Sequence, residues 1–518
     1  MRISHATLGD SLSNHILAVL RMRAAPLLVF ALALGLRVAA IASWQFRGLY
    51  GQDSYAYYDY SLALRAAWLQ GQPIPNFFWP LAYPLLFVAA SFLFGANPFA
   101  GQLVSLLAGA LSATFAFLTA QEIARLAGLE EKRAIGVAWM AALWIACSAE
   151  LIQYSIVVMA DALGLALAIC SAWLLARYLR TEMSRWLYLS AAVLALAFLA
   201  RIEMALLIFP WAGVTLLAWK RQGSWQSFLK KGLWDGVFAV GIGVLIVLPY
   251  LLWAWRNMQA GLPSYIADPG FAQWSPQNFL RREFDTPDGH LQFPYPSGIY
   301  YAVAVLRGGA LTPLVIPFFI LGVSELWRRR AVNTLVFLLG WAAAIYLFIG
   351  GMPWQNLRFA FPLYPPIAIL GAIGLGTISG WQPSRAGLHA VAAAVILVVQ
   401  LTLGYFELDK FMTTTRGYLE MAEWVKRELP ADATLIAFTA TATLEHETDF
   451  KIVEIFFETP DTLSARLRGE HNYLLLDLPS VETQWAGRAP ALNYQFLRDR
   501  IGLEEIGTRL TYTLYHIK

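Results

Sequence analysis

The chain has 518 residues, of which 58% are apolar and only 14% charged, with a mean hydropathy of +0.53. Soluble domains carry about 25% charged residues, so an ordinary soluble protein is excluded. Thirty-eight basic against 34 acidic residues leave a net charge of +4, too small to imply a nucleic-acid partner. The two cysteines, Cys147 and Cys170, both lie inside apolar runs, which excludes a disulfide framework.

A membrane-spanning helix satisfies its own backbone hydrogen bonds and needs roughly 20 apolar residues. Eleven segments qualify in chain order: 24–43, 98–124, 134–152, 157–177, 186–201, 203–219, 232–255, 309–327, 332–350, 359–379 and 387–405. The first carries a cleavage-like Ala40-Ile41-Ala42, but its length and the internal Arg37 favour an uncleaved helix over a signal peptide. Residues 81–95, LAYPLLFVAASFLFG, are apolar but short for a crossing, and read as a re-entrant or interfacial helix.

Charge orients the bundle. Basic residues cluster at Arg21/Arg23, Lys132/Arg133, Arg177/Arg180/Arg185, Lys220/Arg221/Lys230/Lys231 and Arg328-Arg329-Arg330. With eleven crossings every cluster falls on one side, which the positive-inside rule makes cytoplasmic. The N-terminus is then cytoplasmic in the inner (plasma) membrane. Loops 44–97, 256–308 and 351–358 and the tail after 406 lie outside.

After Tyr405 the composition changes. Residues 416–429 read as an amphipathic helix ended by Pro430, followed by strand-like runs ATLIAF, FKIVEIFF, NYLLLDL and LTYTLYHI. A short helix between them starts at Thr459-Pro460 and stops at Gly469. The expected architecture is an α-helical polytopic membrane protein with interfacial helices and a small external α/β domain. The boundary is set between 1–409 and 410–518.

Ionisable groups in or beside spans are costly and mark candidate sites. Asp53 opens the first external loop, GLYGQDSYAYYDYSLALRAAWLQG, among Tyr50, Tyr55 and Tyr57. Such crowding desolvates a carboxylate; the alternative is a solvated loop acid. The stretch with Tyr58, Leu62, Leu64 and Trp68 reads as an interfacial amphipathic helix.

Asp161, in QYSIVVMADALGLAL, needs a partner or a water-filled cavity, or is a structural acid bonded to a neighbouring helix. Arg201 and Glu203, in LALAFLARIEMALLIF, either pair with each other or leave Arg201 facing an anionic lipid headgroup. Arg358, in GGMPWQNLRFAFPLYPP, is a second candidate of that kind or a snorkelling interfacial arginine. All four places fall at the same outer depth, which suits a phosphate-bearing lipid and a nucleophile. There is no GxxxxGK[ST], HExxH, CxxC or DxD motif, and the seven histidines are scattered, so spacing supports no metal site.

The ordered set of motifs resembles the GT-C glycosyltransferases, especially bacterial relatives of protein O-mannosyltransferases and lipid A aminoarabinose transferases. It comprises GQDSYAYY, LAYPLLFVAASFLFG, VVMADALGLAL, LALAFLARIEMALLIFPWA, LRFAFPLYPPIAILGAIGL and the terminal α/β domain. Relatives often begin the first loop with an Asp-Glu pair; here the pair is Gln52-Asp53, so Asp53 is the matching acid and Asp59 a weaker alternative. The resemblance implies a polyprenyl-phosphate sugar donor and a protein, lipid or glycan acceptor. It implies transfer at the external face by one inverting displacement.

In that scheme Asp53 is the general base and Asp161 orients a base or sugar hydroxyl. Arg201 (with Glu203 beside it) and Arg358 stabilise the departing phosphate, and Tyr83 contacts the donor. No cofactor is implied with certainty; a divalent cation is the one candidate. Rival readings are a polytopic transporter or flippase and a receptor or scaffold using the terminal domain.

Overall fold

The computed structural model describes residues 8–221, 232–262, 273–381, 386–467 and 471–518. Lys230, Lys231 and the Gly469 helix stop lie outside the described residues, as do the side chains of Arg21, Arg23 and Arg221.

The helices in chain order are α1 (Leu8–Trp44), α2 (Gly51–Leu69), α3 (Ala82–Phe94), α4 (Pro98–Leu126), α5 (Glu131–Cys147), α6 (Ala149–Ile156), α7 (Asp161–Thr181) and α8 (Ser184–Ala200). A 3-10 turn, Ile202–Leu207, leads into α9 (Ile208–Arg221). Then come α10 (Leu233–Gln259), a hairpin of β1 (Glu283–Thr286) and β2 (Gly289–Gln292), and α11 (Ser297–Ala304). The helices α12 (Val315–Arg328), α13 (Val332–Gly350), α14 (Tyr364–Trp381) and α15 (Ala386–Glu428) complete the bundle. The chain is a multi-pass membrane protein: eight of the described helices are long and apolar enough to cross a bilayer, or nine with the bent pair α5–α6.

Three expected spans differ from the sequence reading. The run 134–152 breaks by 58° between α5 and α6. Ser148 sits at the break, where its hydroxyl donates to Gly309 O and caps Leu151 N. The span read as 186–201 is a helix of 17 residues, about 25 Å long. The one read as 309–327 is helical over only 14 residues, about 21 Å, because 305–314 form successive turns ahead of it.

The bundle has two chemically distinct ends. At one end Arg180 reaches Glu122, Arg125 pairs with Glu131, and Arg328 and Arg329 both bind Glu325. Arg329 also donates to Gly128 O at the end of α4 (3.3 Å), so the basic clusters on α4–α5, α7 and α12 share a level. The opposite end carries α2, α3, the hairpin and the α/β region. Arg37 of α1 is fully buried between them, donating to Ser155 Oγ (2.7 Å) and Ala33 O (2.9 Å). A buried arginine held in this way locks α1 into the bundle.

Glycines set one very close helix contact. A Cβ on Gly322 would stand 1.9 Å from Leu370 O, and one on Gly374 would stand 1.8 Å from Phe318 O. α12 and α14 therefore touch backbone to backbone.

α15 runs unbroken for 43 residues, so the expected boundary at 409/410 falls inside one helix. Beyond it lies a small mixed α/β region. Its strands are β3 (Thr434–Ala437), β4 (Lys451–Glu454), β5 (Asn472–Asp477), β6 (Leu503–Arg509) and β7 (Tyr512–Ile517), in spatial order β4-β3-β5-β7-β6. The first three are mutually parallel and the last two antiparallel. The sequence reading found four of these; β6, LEEIGTR, lacks an apolar pattern because it is an edge strand with several exposed positions. Helices α16 (Thr441–Glu447), α17 (Pro460–Arg466), α18 (Leu478–Glu482) and α19 (Ala489–Phe496) surround the sheet.

Candidate active site

The site lies at the end of the bundle beneath the α/β region. Gly51 has a positive φ of 62° and starts α2 abruptly after the extended Tyr50. The Ser54 hydroxyl accepts from Tyr50 N at 2.6 Å, fixing that start. Asp53 thus falls in the first turn, where the helix dipole favours a carboxylate.

Asp161 is the first residue of α7. The preceding 157–160 are held non-helical because Val158 N donates to Gly48 O and the Met159 carbonyl accepts from Ser105. Arg201 is the extended residue between α8 and the 3-10 turn. Its stem crosses α7 at Gly164, where a Cβ would stand 2.6 Å from Arg201 Cγ. Arg358 belongs to a second 3-10 turn, Leu357–Leu363, which Asn356 caps through Oδ1 at 3.2 Å.

These four places converge. Arg358 Nη1 lies 2.6 Å from Asp53 Oδ2. Arg201 Nε lies 2.8 Å from Glu203 Oε1, and Arg201 Nη2 lies 3.4 Å from Asp161 Oδ1. Both guanidinium carbons stand 5.7 Å from the centroid of one ring, Phe359, which sits between the two pairs. Tyr57, fully buried on α2, feels all of Arg201, Asp161, Asp53 and Arg358. Burial holds its phenol well above the ordinary value, so it remains a hydrogen-bond donor.

The electrostatics are tight. Three carboxylates face two guanidiniums, leaving one net negative charge. Asp161, Arg201 and Glu203 are 4%, 7% and 8% exposed, whereas the Asp53 side chain is 30% exposed and Arg358 15%. Asp53 is therefore the member that faces an entrance. Three buried polar atoms lack hydrogen-bond partners: Tyr57 Oη, Asp161 Oδ2 and Arg358 Nε. Unmet polar groups are costly in a low-dielectric interior, and their grouping marks where a ligand would satisfy them. Two guanidiniums among the acids do not fit a divalent cation, and among the described residues no three His, Cys, Asp or Glu side chains form a metal-ligand group.

Two other candidates lie apart from this cluster. Tyr83 is fully buried with its hydroxyl spent on Gly101 O (2.9 Å) and Ser105 Oγ (3.0 Å). Its ring lies against Tyr57, 5.4 Å between centroids, so it stands behind the site. Asp59 turns away to His446 of α16, 2.9 Å. Sequence reasoning did not single out Phe359 or Tyr154. Tyr154 packs on Phe361 beside Arg358; its only signal was its place seven residues before Asp161.

Next to the charged cluster an apolar cleft of about 550 Å³ runs between α7, α8, α9 and α10. It extends from Ala205, four residues past Arg201, to Trp219 and Gly236 at the basic end.

Comparison with known proteins completes the assignment of the fold. The profile of the family described as dolichyl-phosphate-mannose-protein mannosyltransferase matches residues 79–253. Crystallised ArnT from Cupriavidus metallidurans bound to undecaprenyl phosphate superposes with a TM-score of 0.59 at 13% identity, covering 94% of this chain and 97% of that one. The chain has the GT-C fold. The apo form of the same ArnT gives 0.57 at 14% identity, with the same coverage. The Archaeoglobus fulgidus oligosaccharyltransferase complexed with zinc and sulfate gives 0.54 at 14% identity, over 94% of this chain and 73% of that one. No curated protein sequence matches the chain. Within this GT-C fold the Asp53–Arg358 and Arg201–Asp161 pairs occupy the end of the bundle nearest the α/β region.

Proposed function

We propose that the protein transfers a sugar from a polyprenyl-phosphate donor to an acceptor hydroxyl at the external membrane face. The observation that carries this reading is the paired cluster itself. Asp53 is the accessible base, and Arg358 touches it while keeping one buried nitrogen, Nε, without a partner.

The charge balance suggests how the step runs. The donor phosphodiester enters with one negative charge. As the acceptor oxygen attacks the anomeric carbon, the acceptor proton passes to Asp53 and the carbon–oxygen bond to phosphate breaks. Asp53 becomes neutral at the moment the lipid phosphate gains its second charge. Arg358 is thereby handed from the aspartate to the departing phosphate, with no net change of charge in the pocket. Positioned proton transfer contributes about 10²–10⁴-fold, and a guanidinium aimed at developing charge adds electrostatic stabilisation. Arg201, anchored by Asp161 and Glu203, supplies the second positive wall, and the Tyr57 hydroxyl is free to donate to a sugar or phosphate oxygen. The apolar cleft beginning at Ala205 suits the hydrocarbon chain of the donor.

Eleven crossings and an external site are part of the proposal. α8 is short, yet Arg201 at its end meets Asp161 at the start of α7, so α8 retraces the whole depth of α7. The segment 309–328 likewise joins the level of Glu150, whose N–H donates to Gly309 O, to that of Gly128. Both then count as crossings, and the basic end faces the cytoplasm. A secondary transporter would keep its substrate-site residues near the midplane between two repeats; here the paired charges of the site gather at one end.

Mass spectrometry of glycoconjugates from cells with and without the gene tests the reading. A hexose-mass increment that disappears on deletion and is not restored by Asp53→Asn is expected. An unchanged glycoconjugate profile, together with donor uptake into sealed vesicles, would replace the transferase with a transporter.

A further inference from the structure

The α/β region is more than a cap. In its sheet β3 lies between β4 and β5 and is parallel to both. The chain leaves β3 through α16 to reach β4, then returns through α17 to β5 on the other side. Leu444 of α16 packs with Ala437, Leu475 and Tyr512 on one face, whereas Leu463 of α17 packs with Ile436 and Leu474 on the other. The carboxyl end of β3 is therefore a point where successive crossovers diverge to opposite faces. Open α/β sheets bind ligands in the crevice such a divergence leaves.

The groups at this crevice are specific. Thr439, two residues past the end of β3, has a φ of 66°, and its hydroxyl meets Phe438 O and Tyr512 Oη, each at 2.7 Å. Asp477 ends β5 opposite Tyr512 in register, and its Oδ1 is buried without a hydrogen-bond partner. Tyr418 of α15 lies 6.2 Å from Tyr512 and 6.4 Å from Tyr50, ring centroid to ring centroid. Tyr50 is the residue that caps α2, and Gln52 Nε2 donates to Thr439 O at 3.4 Å. A line of tyrosines thus joins the crevice to the first turn of α2, which carries Asp53.

We propose that this crevice is the acceptor subsite and that its ligand is a neutral glycan. The proposal rests on the transferase reading above. The half-buried rings of Tyr50 and Tyr418 offer apolar platforms to the C–H faces of a pyranose, while the unpartnered carboxylate oxygen of Asp477 matches a sugar hydroxyl. A phosphorylated headgroup would meet Asp477 with no cation among these crevice residues. An extended peptide would instead add to a sheet edge, and the edges here are β4 and β6. The glycan reducing or non-reducing end in the crevice places a neighbouring hydroxyl toward Asp53.

The test uses the full-length protein in nanodiscs on an array carrying neutral glycans, phosphorylated glycans and peptides. The wild type retains neutral glycans, and Asp477→Asn and Tyr418→Ala each weaken retention by about tenfold or more. Undecaprenyl phosphate binds all three proteins equally, which certifies their folding. Tyr512→Phe, which removes one hydroxyl only, gives an intermediate loss. Retention of peptides or phosphorylated glycans alone, no retention at all, or equal retention by the variants overturns the proposal. In cells, Asp53→Asn abolishes product if the transferase reading holds. A wild-type product level in Asp477→Asn cells alongside that loss would reject the crevice and leave the transferase standing.

Discussion

The pairing of Asp53 with Arg358 makes a prediction that separates proton transfer from phosphate binding. In Asp53→Asn the amide still accepts a hydrogen bond from Arg358 across the 2.6 Å contact but takes no proton. Loss of a positioned base lowers turnover by about 10²–10⁴-fold, equivalent to about 2.7–5.4 kcal/mol of barrier. The same change removes the negative charge that competes with the donor for Arg358. Charge-assisted hydrogen bonds contribute about 1.5–3 kcal/mol, so undecaprenyl phosphate binds as tightly as to wild type or about tenfold tighter. Arg358→Ala behaves oppositely, because it removes a donor to the phosphate and leaves Asp53 without its partner. Its turnover falls about 10²–10³-fold, and lipid affinity falls with it. Native mass spectrometry or calorimetry on nanodisc-embedded protein reads the affinity, and glycoconjugate yield from complemented cells reads turnover. Weaker lipid binding in Asp53→Asn, by the same factor as in Arg358→Ala, would refute the exchange of Arg358 between aspartate and phosphate. Wild-type turnover in Asp53→Asn would remove Asp53 from the chemistry altogether.

Other consequences are independent of that pair. Tyr57→Phe deletes a buried hydroxyl that has no hydrogen-bond partner, so thermal stability stays level or rises by about 1 kcal/mol while transfer drops about tenfold; a large fall in Tm with unchanged transfer would reverse the assignment. His446 is raised above its ordinary 6.5 chiefly by its hydrogen bond to Asp59. A raised histidine contributes stability that is complete below its unfolded value and is lost as pH climbs through the folded value. The contact between α16 and α2 therefore loosens above neutrality, by under about 1 kcal/mol because the pair is half exposed. Hydrogen exchange in α2 reads this, and a pH response persisting in His446→Phe would contradict it. Gly374→Ala drives a methyl into Phe318 O and separates α12 from α14, costing about 1–3 kcal/mol; a Tm equal to wild type would show that the helices slide apart freely.

The fold was legible where its signals are local. Long apolar runs give the membrane helices, and the short apolar runs ATLIAF, FKIVEIFF, NYLLLDL and LTYTLYHI give four of the five strands. What stayed hidden depends on tertiary bonds. Ser148 breaks the α5–α6 run through a bond to Gly309, a residue far along the chain. The strand β6 is invisible because most of its side chains are exposed or half-exposed. For the site, charge in or beside the spans singled out Asp53, Asp161, Arg201, Glu203 and Arg358, since unpaired charge is costly in lipid. Of the pairings, Arg201 with Glu203 was one of two alternatives the sequence left open, whereas Arg201 with Asp161 and Arg358 with Asp53 join distant segments and were not readable. Tyr83 drew notice by its motif, yet its hydroxyl is consumed by Gly101 and Ser105.

The uninterrupted α15 has a mechanical corollary. A helix of 43 residues is about 65 Å long, roughly twice the hydrocarbon thickness. It acts as a mast that sets both the altitude and the compass heading of the sheet it carries. Four extra residues near Lys410 would raise the sheet by about 6 Å and swing it by about 40°, leaving each half folded but pointing past the other.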